Sequence, residues 1–138
     1  MEINLPQPLE ELGQAFARYE RAVMDNDPAT LEELFWNSPH TLRYGIAENL
    51  YGWEEICAYR RRRAGEGGAP RRNITRKVLT TYGRDFGTAN IEYLRPASGR
   101  TGRQSQTWMR TPGGWRVVAA HVSMPQAGDE AGTRRPGS

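Results

Sequence analysis

The sequence predicts an α+β fold in which three N-terminal helices pack on one side of a curved antiparallel sheet. Two observations carry this prediction. In the N-terminal half, apolar residues recur at three- and four-residue steps, the period of an amphipathic helix. From Ile74 onward, extended segments alternate with short turns that contain Gly, Pro or Asp. Helices that cover one face of a curved sheet leave a concave space, and small-molecule sites favour such concavities.

The first two helices are predicted from their apolar stripes and from a cap. The first stripe consists of Leu9, Leu12, Phe16, Tyr19 and Val23, and this helix ends near Asp25-Asn26. The second helix opens at Asp27 as the N-cap, with Pro28 at the first helical position. It directs Leu31, Leu34 and Phe35 inward, and Ser38-Pro39 breaks it.

Two short strands and a third helix are predicted next. Thr41 to Tyr44 and Leu50-Tyr51 are extended, and the turn from Gly45 to Asn49 lets them pair. Gly52 precedes a helix that runs through about Arg63, with Trp53, Ile56 and Cys57 on one side. The segment Ala64 to Pro70 is then a mobile, Gly-rich loop.

Four β segments complete the domain: Arg76 to Tyr82, Phe86 to Leu94, Gly102 to Trp108, and Trp115 to Ser123. The third of these carries polar residues on both faces, which is unusual because buried amide and hydroxyl groups are costly without partners. This pattern indicates a polar cavity on one sheet face. The folded domain is predicted to span residues 1–124, and the Gly- and Pro-rich segment 125–138 is expected to be a disordered tail.

Length and composition fit a single cytoplasmic domain. The 138 residues include one cysteine, Cys57, which excludes an internal disulfide and suits a reducing compartment. The N-terminus has neither a basic region nor an apolar stretch of the signal-peptide type. No apolar run reaches the ~18 residues that a membrane span requires. We therefore expect a cytoplasmic protein that does not bind membranes.

The net charge of +3 comes mainly from arginines. These form clusters at Arg60 to Arg63, Arg71-Arg72 and Arg134-Arg135, which are expected to be solvated surface, although Arg60 lies on the inward side of its helix. Aromatic residues do not interleave with these clusters, so no nucleic-acid partner is predicted. The sheet face away from the cavity is expected to carry Val118, Ala120 and Val122, which predicts a homodimer or homotetramer that packs through this face.

Six segments of the chain are similar to those of a known family: Phe16 to Ala22, Leu34 to Trp36, Thr41 to Gly45, Glu48 to Gly52, Tyr82 to Phe86 and Gly102 to Trp108. Together they resemble the AtzH-like family within the nuclear transport factor two-like superfamily, which includes ketosteroid isomerase and SnoaL-type polyketide-cyclase relatives. The similarity runs from about Met1 to Met124 and implies a cone-shaped fold. The family includes the oxalurate-catabolism protein HpxZ and the cyanuric-acid-pathway protein AtzH.

The resemblance implies a role in the catabolism of small ureido acids. It also implies that an amidase of the same pathway is a partner of this protein. In the cyanuric-acid branch it implies decarboxylation of 1,3-dicarboxyurea to allophanate, and in the other branch a step of oxalurate catabolism. An N-carboxylate leaves as carbon dioxide once its nitrogen gains a proton, so no cofactor is predicted. The alternative is a non-catalytic protein that binds a ureido acid or assists the amidase.

Tyr19 and Arg43 are the predicted catalytic residues. Tyr19 lies on the inward stripe of the first helix, where it is either a core aromatic or a phenol that donates to substrate. Arg43 lies mid-strand, where it is either solvated or turned inward to clamp a carboxylate with both guanidinium nitrogens. The resemblance places a functional tyrosine and an essential arginine at these two positions and favours the functional interpretation of both.

Five further residues are predicted to bind a small anionic ureido substrate: Gln104, Gln106, His121, Arg60 and Asn49. The two glutamines share a strand face with Trp108, and Ser105 and Thr107 replace them if the opposite face is the inner one. His121 is assigned by alternation to the face of Trp115 and Val117 and is either structural or an acid–base group.

No metal site is predicted, because neither of the two histidines occurs in a ligand spacing such as His-x-x-x-His. A lone buried Cys57 is expected to be packing only. An isomerase or cyclase that acts on a hydrophobic ring is disfavoured. The expected pocket is cationic and rich in amides, with no inward carboxylate base.

Overall fold

The computed structural model describes residues 1–126 and confirms the α+β fold. The helices are α1 (Pro6–Met24), α2 (Pro28–Leu34) and α3 (Trp53–Gly65). The strands are β1 (Leu42–Tyr44), β2 (Asn49–Tyr51), β3 (Asn73–Tyr82), β4 (Phe86–Arg95), β5 (Arg100–Thr111) and β6 (Gly114–Ser123). Of the predicted disordered tail, 125–138, all but the first two residues lie outside the described residues, and so does the Arg134-Arg135 pair.

Local sequence signals account for the helix ends. Proline has no N–H to leave unpaired in a first turn, so Pro6 and Pro28 suit the starts of α1 and α2. The Asp27 carboxylate accepts a hydrogen bond of 3.1 Å from the Thr30 backbone N–H and so caps α2 as predicted. Before α3, Gly52 adopts a φ of 87°, which favours glycine. This helix runs two residues past the predicted end at Arg63.

The six strands form one curved, open sheet in the order β2-β1-β6-β5-β4-β3. All neighbouring strands are antiparallel except β1 and β6, which are parallel. This pairing places Arg43 of β1 opposite Ala120 of β6, although 77 positions of sequence separate them. The first β segment of the chain thereby lies second from one edge of the sheet, beside β6, and α3 packs against it.

A β-bulge in β6 reverses the predicted facing of its second half. Thr107 pairs with Ala119 and the next residue, Trp108, pairs with Val117, so Val118 is an extra residue in the ladder. Trp115 and Val117 are buried, and so are Ala120 and Val122 beyond the bulge. The predicted outer strip of Val118, Ala120 and Val122 is therefore wrong, because two of its three members face inward. Homo-oligomerisation stays a prediction without this support.

The core lies between the helices and the inner sheet face. Its largest fully buried apolar side chains are Leu12, Phe16, Leu34, Phe35, Ile56, Tyr93, Trp108 and Val117. Each such side chain stabilises the fold by about 1.5–3 kcal/mol through its removal from water. Across residues 1–126, no helix has both the length and the apolar character needed to span a membrane.

Candidate functional site

A cavity of about 190 Å³ lies at one end of the inner sheet face. It is bordered by α1, α3, the β1–β2 turn and strands β4 to β6. Drug-sized ligands occupy roughly 300–1,000 Å³, so this space fits a smaller molecule. Its charged lining consists of five arginines and one glutamate: Arg43, Arg60, Arg63, Arg72, Arg95 and Glu48. A small cavity with this excess of positive charge favours a small anion.

Tyr19 and Arg60 meet at the floor of this cavity. The Tyr19 ring packs edge-on against Phe35 and Trp108, which fixes its position on α1. Arg60, on α3, donates a hydrogen bond of 2.9 Å from Nη2 to the Tyr19 hydroxyl oxygen. Within residues 1–126, the Arg60 guanidinium has no carboxylate partner and its Nε has no hydrogen-bond partner.

The electrostatic state of Arg60 follows from its burial. The residue is only 6% exposed. Burial lowers its pKa below the ordinary value, the nearby Arg43 charge acts in the same direction, and Tyr19 opposes them. Because an arginine pKa starts far above neutrality, the side chain remains charged. A buried charge without a counter-ion is costly, so its presence beside a cavity points to an anionic ligand.

Arg43 points inward from β1, as the functional interpretation required. It is 7% exposed, and its guanidinium stacks on the Tyr59 ring at 4.9 Å. One of its nitrogens, Nη1, donates to Oε1 of Glu48 at 3.0 Å. A side chain at Gly45 would overlap this carboxylate, so glycine there permits the pair. A carboxylate of the chain itself thus already contacts the arginine that was predicted to bind a substrate carboxylate.

Arg72 forms a second charged centre that the sequence did not predict. Its Nε and Nη2 donate to the two Glu20 carboxylate oxygens at 3.0 and 2.7 Å. Its Nη1 donates to Oε1 of Gln104 at 3.3 Å, and its guanidinium lies 4.8 Å from the Tyr93 ring centroid. Burial alone would lower the Arg72 pKa, but the hydrogen bond and charge of Glu20 more than offset this and raise it. Arg72 is therefore fixed in position and fully charged.

Four of the seven predicted site residues border this one cavity: Tyr19, Arg43, Arg60 and Gln104. Gln106 is buried on the same strand face, but its Oε1 accepts a hydrogen bond of 3.0 Å from Trp108 Nε1, and it does not line the cavity. Asn49 is exposed at the start of β2, outside the lining.

His121 also lies outside the cavity, which corrects its predicted placement. It is exposed on the outer sheet face, where its ring is 5.6 Å from that of Tyr44. The cause is the bulge at Val118, which separates His121 from the inward face of Trp115 and Val117. Ser105 pairs with His121 across the sheet and is exposed on this face as well.

Seven charged or aromatic residues that line or support the cavity were missed from the sequence: Glu20, Glu48, Tyr59, Arg63, Arg72, Tyr93 and Arg95. A signal existed for Tyr93 and Arg95, which share one face of β4 with Ile91 by simple alternation. No such signal existed for Arg72, because it precedes a strand in a cluster that was expected to be solvated. Glu48 reaches Arg43 through a turn whose geometry is not evident from residue type.

The arrangement can bind anions and can donate protons. Among residues 1–126, no three His, Cys, Asp or Glu side chains come together as metal ligands. The polar groups around the cavity are mainly guanidinium and amide donors, with three phenols from Tyr19, Tyr59 and Tyr93. These groups suit a ligand that carries carboxylates and carbonyl oxygens.

The AtzH-like family model matches residues 1–128. A protein of unknown function from Pectobacterium atrosepticum has 48% identity and a TM-score of 0.83, over 89% of this chain and 94% of the other. A cystatin-like fold protein from Burkholderia xenovorans has 45% identity and a TM-score of 0.84, over 90% and 96%.

A protein of the nuclear transport factor 2-like superfamily from Salmonella enterica has 26% identity and a TM-score of 0.67, over 91% of this chain and 95% of the other. These similarities agree in fold and extend over nearly the whole described chain. Among curated proteins, none matches this chain.

Proposed function

The chain belongs to the AtzH-like family, and on that premise we propose that it is a cofactor-independent decarboxylase of a small N-carboxylated urea. The reaction is of the type that converts 1,3-dicarboxyurea to allophanate, or a related step of oxalurate and ureido-acid catabolism. The substrate is a small anion with carboxylate and carbonyl oxygens, which matches the donors around the cavity.

One observation carries the proposal: the buried guanidinium of Arg60 has no carboxylate partner among the described residues, and it contacts Tyr19 beside a small cavity. Glu20 forms an ion pair with Arg72, and Glu48 forms one with Arg43. Arg60 forms no such pair with any described carboxylate. A bound carboxylate supplies the missing negative charge. The position of the charge, next to a phenol, brings anion binding and proton donation together.

The chemical step needs one proton and no electron acceptor. The bond between the carboxylate carbon and the urea nitrogen breaks, and its electron pair stays on nitrogen. That nitrogen takes a proton and becomes an amine, while the carboxylate carbon leaves as carbon dioxide. The protein has to hold the anion, orient the N-carboxylate and supply the proton.

Arg43 and Tyr19 divide these tasks. Arg43 binds the carboxylate that remains in the product and exchanges Glu48 for it. Tyr19 receives a hydrogen bond from Arg60 on its oxygen, so its own O–H is available to donate to the leaving nitrogen or to a water there. Tyr59, stacked on Arg43, holds the guanidinium plane.

The test is carbon dioxide release from freshly prepared 1,3-dicarboxyurea, with the spontaneous rate subtracted. The proposal expects release that is proportional to protein concentration and produces one allophanate for each carbon dioxide. Binding of the ureido acid without any acceleration would contradict catalysis and favour the accessory role. If the protein neither binds the ureido acid nor accelerates carbon dioxide release, both roles are rejected.

A further inference from the structure

We propose that Gln104 is a specificity-determining residue: its amide N–H₂ selects a carboxylate or carbonyl oxygen at one end of the ligand and rejects an amino or carboxamide N–H there. This inference deepens the proposed function and rests on it for the identity of the ligand. Arg72 and Glu20 are the positioning residues that make Gln104 a donor toward the cavity.

The orientation of the Gln104 amide follows from its neighbour. Arg72 Nη1 lies 3.3 Å from the amide oxygen of Gln104. A guanidinium carries only donors, so the amide atom that faces it has to be the oxygen. The other amide atom, Nε2, is then a donor that needs an acceptor elsewhere.

Arg72 cannot easily turn away to permit the opposite amide orientation. Two hydrogen bonds of 3.0 and 2.7 Å hold it on the Glu20 carboxylate, in the bidentate geometry that such pairs favour. The Tyr93 ring, 4.8 Å away, supports the guanidinium on its face. If the Gln104 amide rotated by half a turn, its N–H₂ would meet the Arg72 N–H donors.

Gln104 borders the cavity, and its amide donor lacks a partner. Gln104 is 3% exposed, and its Nε2 has no acceptor within residues 1–126. Buried polar groups are nearly always hydrogen-bonded, so an orphan donor on a residue that borders a cavity indicates a ligand acceptor. Arg60 and Arg95, which border the same cavity, each have an Nε without a partner in the described chain.

This set of donors distinguishes substrate from product. The substrate 1,3-dicarboxyurea has a carboxylate, which only accepts hydrogen bonds, at each end. Loss of carbon dioxide replaces one carboxylate by an amino group, whose N–H donors then face donors of the protein. The product end is held poorly, because a site built for one hydrogen-bonding pattern strongly rejects the opposite one. The same change that completes the reaction therefore weakens binding.

The experiment compares three stable ligands by isothermal titration calorimetry. Glutarate is a methylene analogue of 1,3-dicarboxyurea, and monomethyl glutarate and glutaramate each replace one carboxylate by a neutral group. The last two have the same charge, but only glutaramate brings N–H donors. We expect glutarate to bind best and glutaramate to bind at least about tenfold more weakly than the monomethyl ester.

Two variants test the residues. Gln104→Glu can still pair with Arg72 and replaces the free donor by an acceptor, so the order of glutaramate and the monomethyl ester should reverse. Glu20→Gln weakens the hold on Arg72, so their affinity ratio should fall toward one while circular dichroism remains that of the parent. The matched control, Gln14→Glu on the exposed face of α1, should leave the ratio unchanged.

The outcomes separate this inference from the proposed decarboxylation, because these ligands do not react. Selectivity without carbon dioxide release from 1,3-dicarboxyurea would reject the decarboxylase and retain the role of Gln104. Carbon dioxide release with equal binding of the two neutral-ended ligands would reject the role of Gln104 alone. Should glutarate fail to bind even at millimolar concentration, the role of Gln104 would be rejected, and carbon dioxide release from 1,3-dicarboxyurea would decide the decarboxylase by itself.

Discussion

Arg60 is the donor and Tyr19 the acceptor in their buried hydrogen bond of 2.9 Å. The direction matters because a guanidinium cannot accept, so the phenolic proton is not used in this bond. Tyr19 borders the cavity, so its O–H is free to donate to an acceptor that a ligand places there. In the proposed function, this relationship joins the charge that binds the anion to the group that protonates it.

Arg43→Lys should weaken glutarate binding by about ten- to a hundredfold. Lysine keeps the charge but cannot reproduce the two parallel N–H bonds of a guanidinium to a carboxylate, nor its stacking on Tyr59. Calorimetry measures the change. The control is Arg61→Lys on the exposed side of α3, which should bind as the parent does, and equal affinities for all three proteins would contradict a clamp at Arg43.

Glu48→Gln should strengthen glutarate binding by about two- to fivefold. The Glu48 carboxylate contacts Arg43 at 3.0 Å and competes with a ligand carboxylate, and partly exposed ion pairs contribute about this much. Gly45→Ala should not reproduce this gain, since the added methyl group overlaps the Glu48 carboxylate but also comes within 2.9 Å of Arg43 Nη1. Weaker binding by Glu48→Gln would show that Glu48 supports the ligand instead of competing with it.

Gly102→Ala should lower the free energy of unfolding by about 1–3 kcal/mol. Gly102 lies opposite Tyr93 across β4 and β5, and an added Cβ would overlap the Tyr93 ring. Chemical denaturation measures the effect, and displacement of Tyr93 should also weaken glutarate binding. Gly65→Ala is the matched control, because a Cβ there meets no neighbouring atom. Similar stability of the two variants would argue against close packing at Gly102.

Cys57 should react very slowly with thiol reagents in the folded protein at pH 8. Burial, supported by the neighbouring Glu32 carboxylate, raises the pKa of the thiol to about 12 from an ordinary value of 9.0. Between pH 9 and pH 12 the thiol therefore keeps its proton in the folded state but loses it in the unfolded state. The stabilisation that Cys57 contributes to the folded state is fully present below pH 9 and is lost as the pH rises toward 12. Labelling by iodoacetamide with and without denaturant checks this, and fast labelling of folded protein would contradict it.

The fold could be predicted from the sequence because its signals are local. Neighbouring residues decide the apolar stripe of α1 and the Asp27-Pro28 start of α2. They also decide the turns that join β3 to β4, β4 to β5 and β5 to β6. The inward position of Tyr19 follows from the same stripe. The inward orientation of Arg43 does not follow from its position in a strand alone, and the resemblance to the AtzH-like family was needed to predict it.

The site could be predicted only in part, because its remaining features depend on tertiary contacts. One extra residue, Val118, reverses the facing of His121, and neither Gly nor Pro marks the bulge. Arg72 enters the site because Glu20, 52 positions away in sequence, compensates its charge. Charged residues near strand ends look solvated until such a partner is known.

The most direct test measures carbon dioxide release from 1,3-dicarboxyurea by the parent and by Tyr19→Phe, alongside glutarate binding by both. The variant removes one hydroxyl from a well-packed aromatic cluster, so its circular dichroism should match that of the parent. We predict that its turnover falls by ~10²–10⁴, the range for a lost proton donor, while its glutarate affinity changes far less. Undiminished release by the folded variant would contradict the role of Tyr19, and no acceleration by the parent would contradict decarboxylation itself.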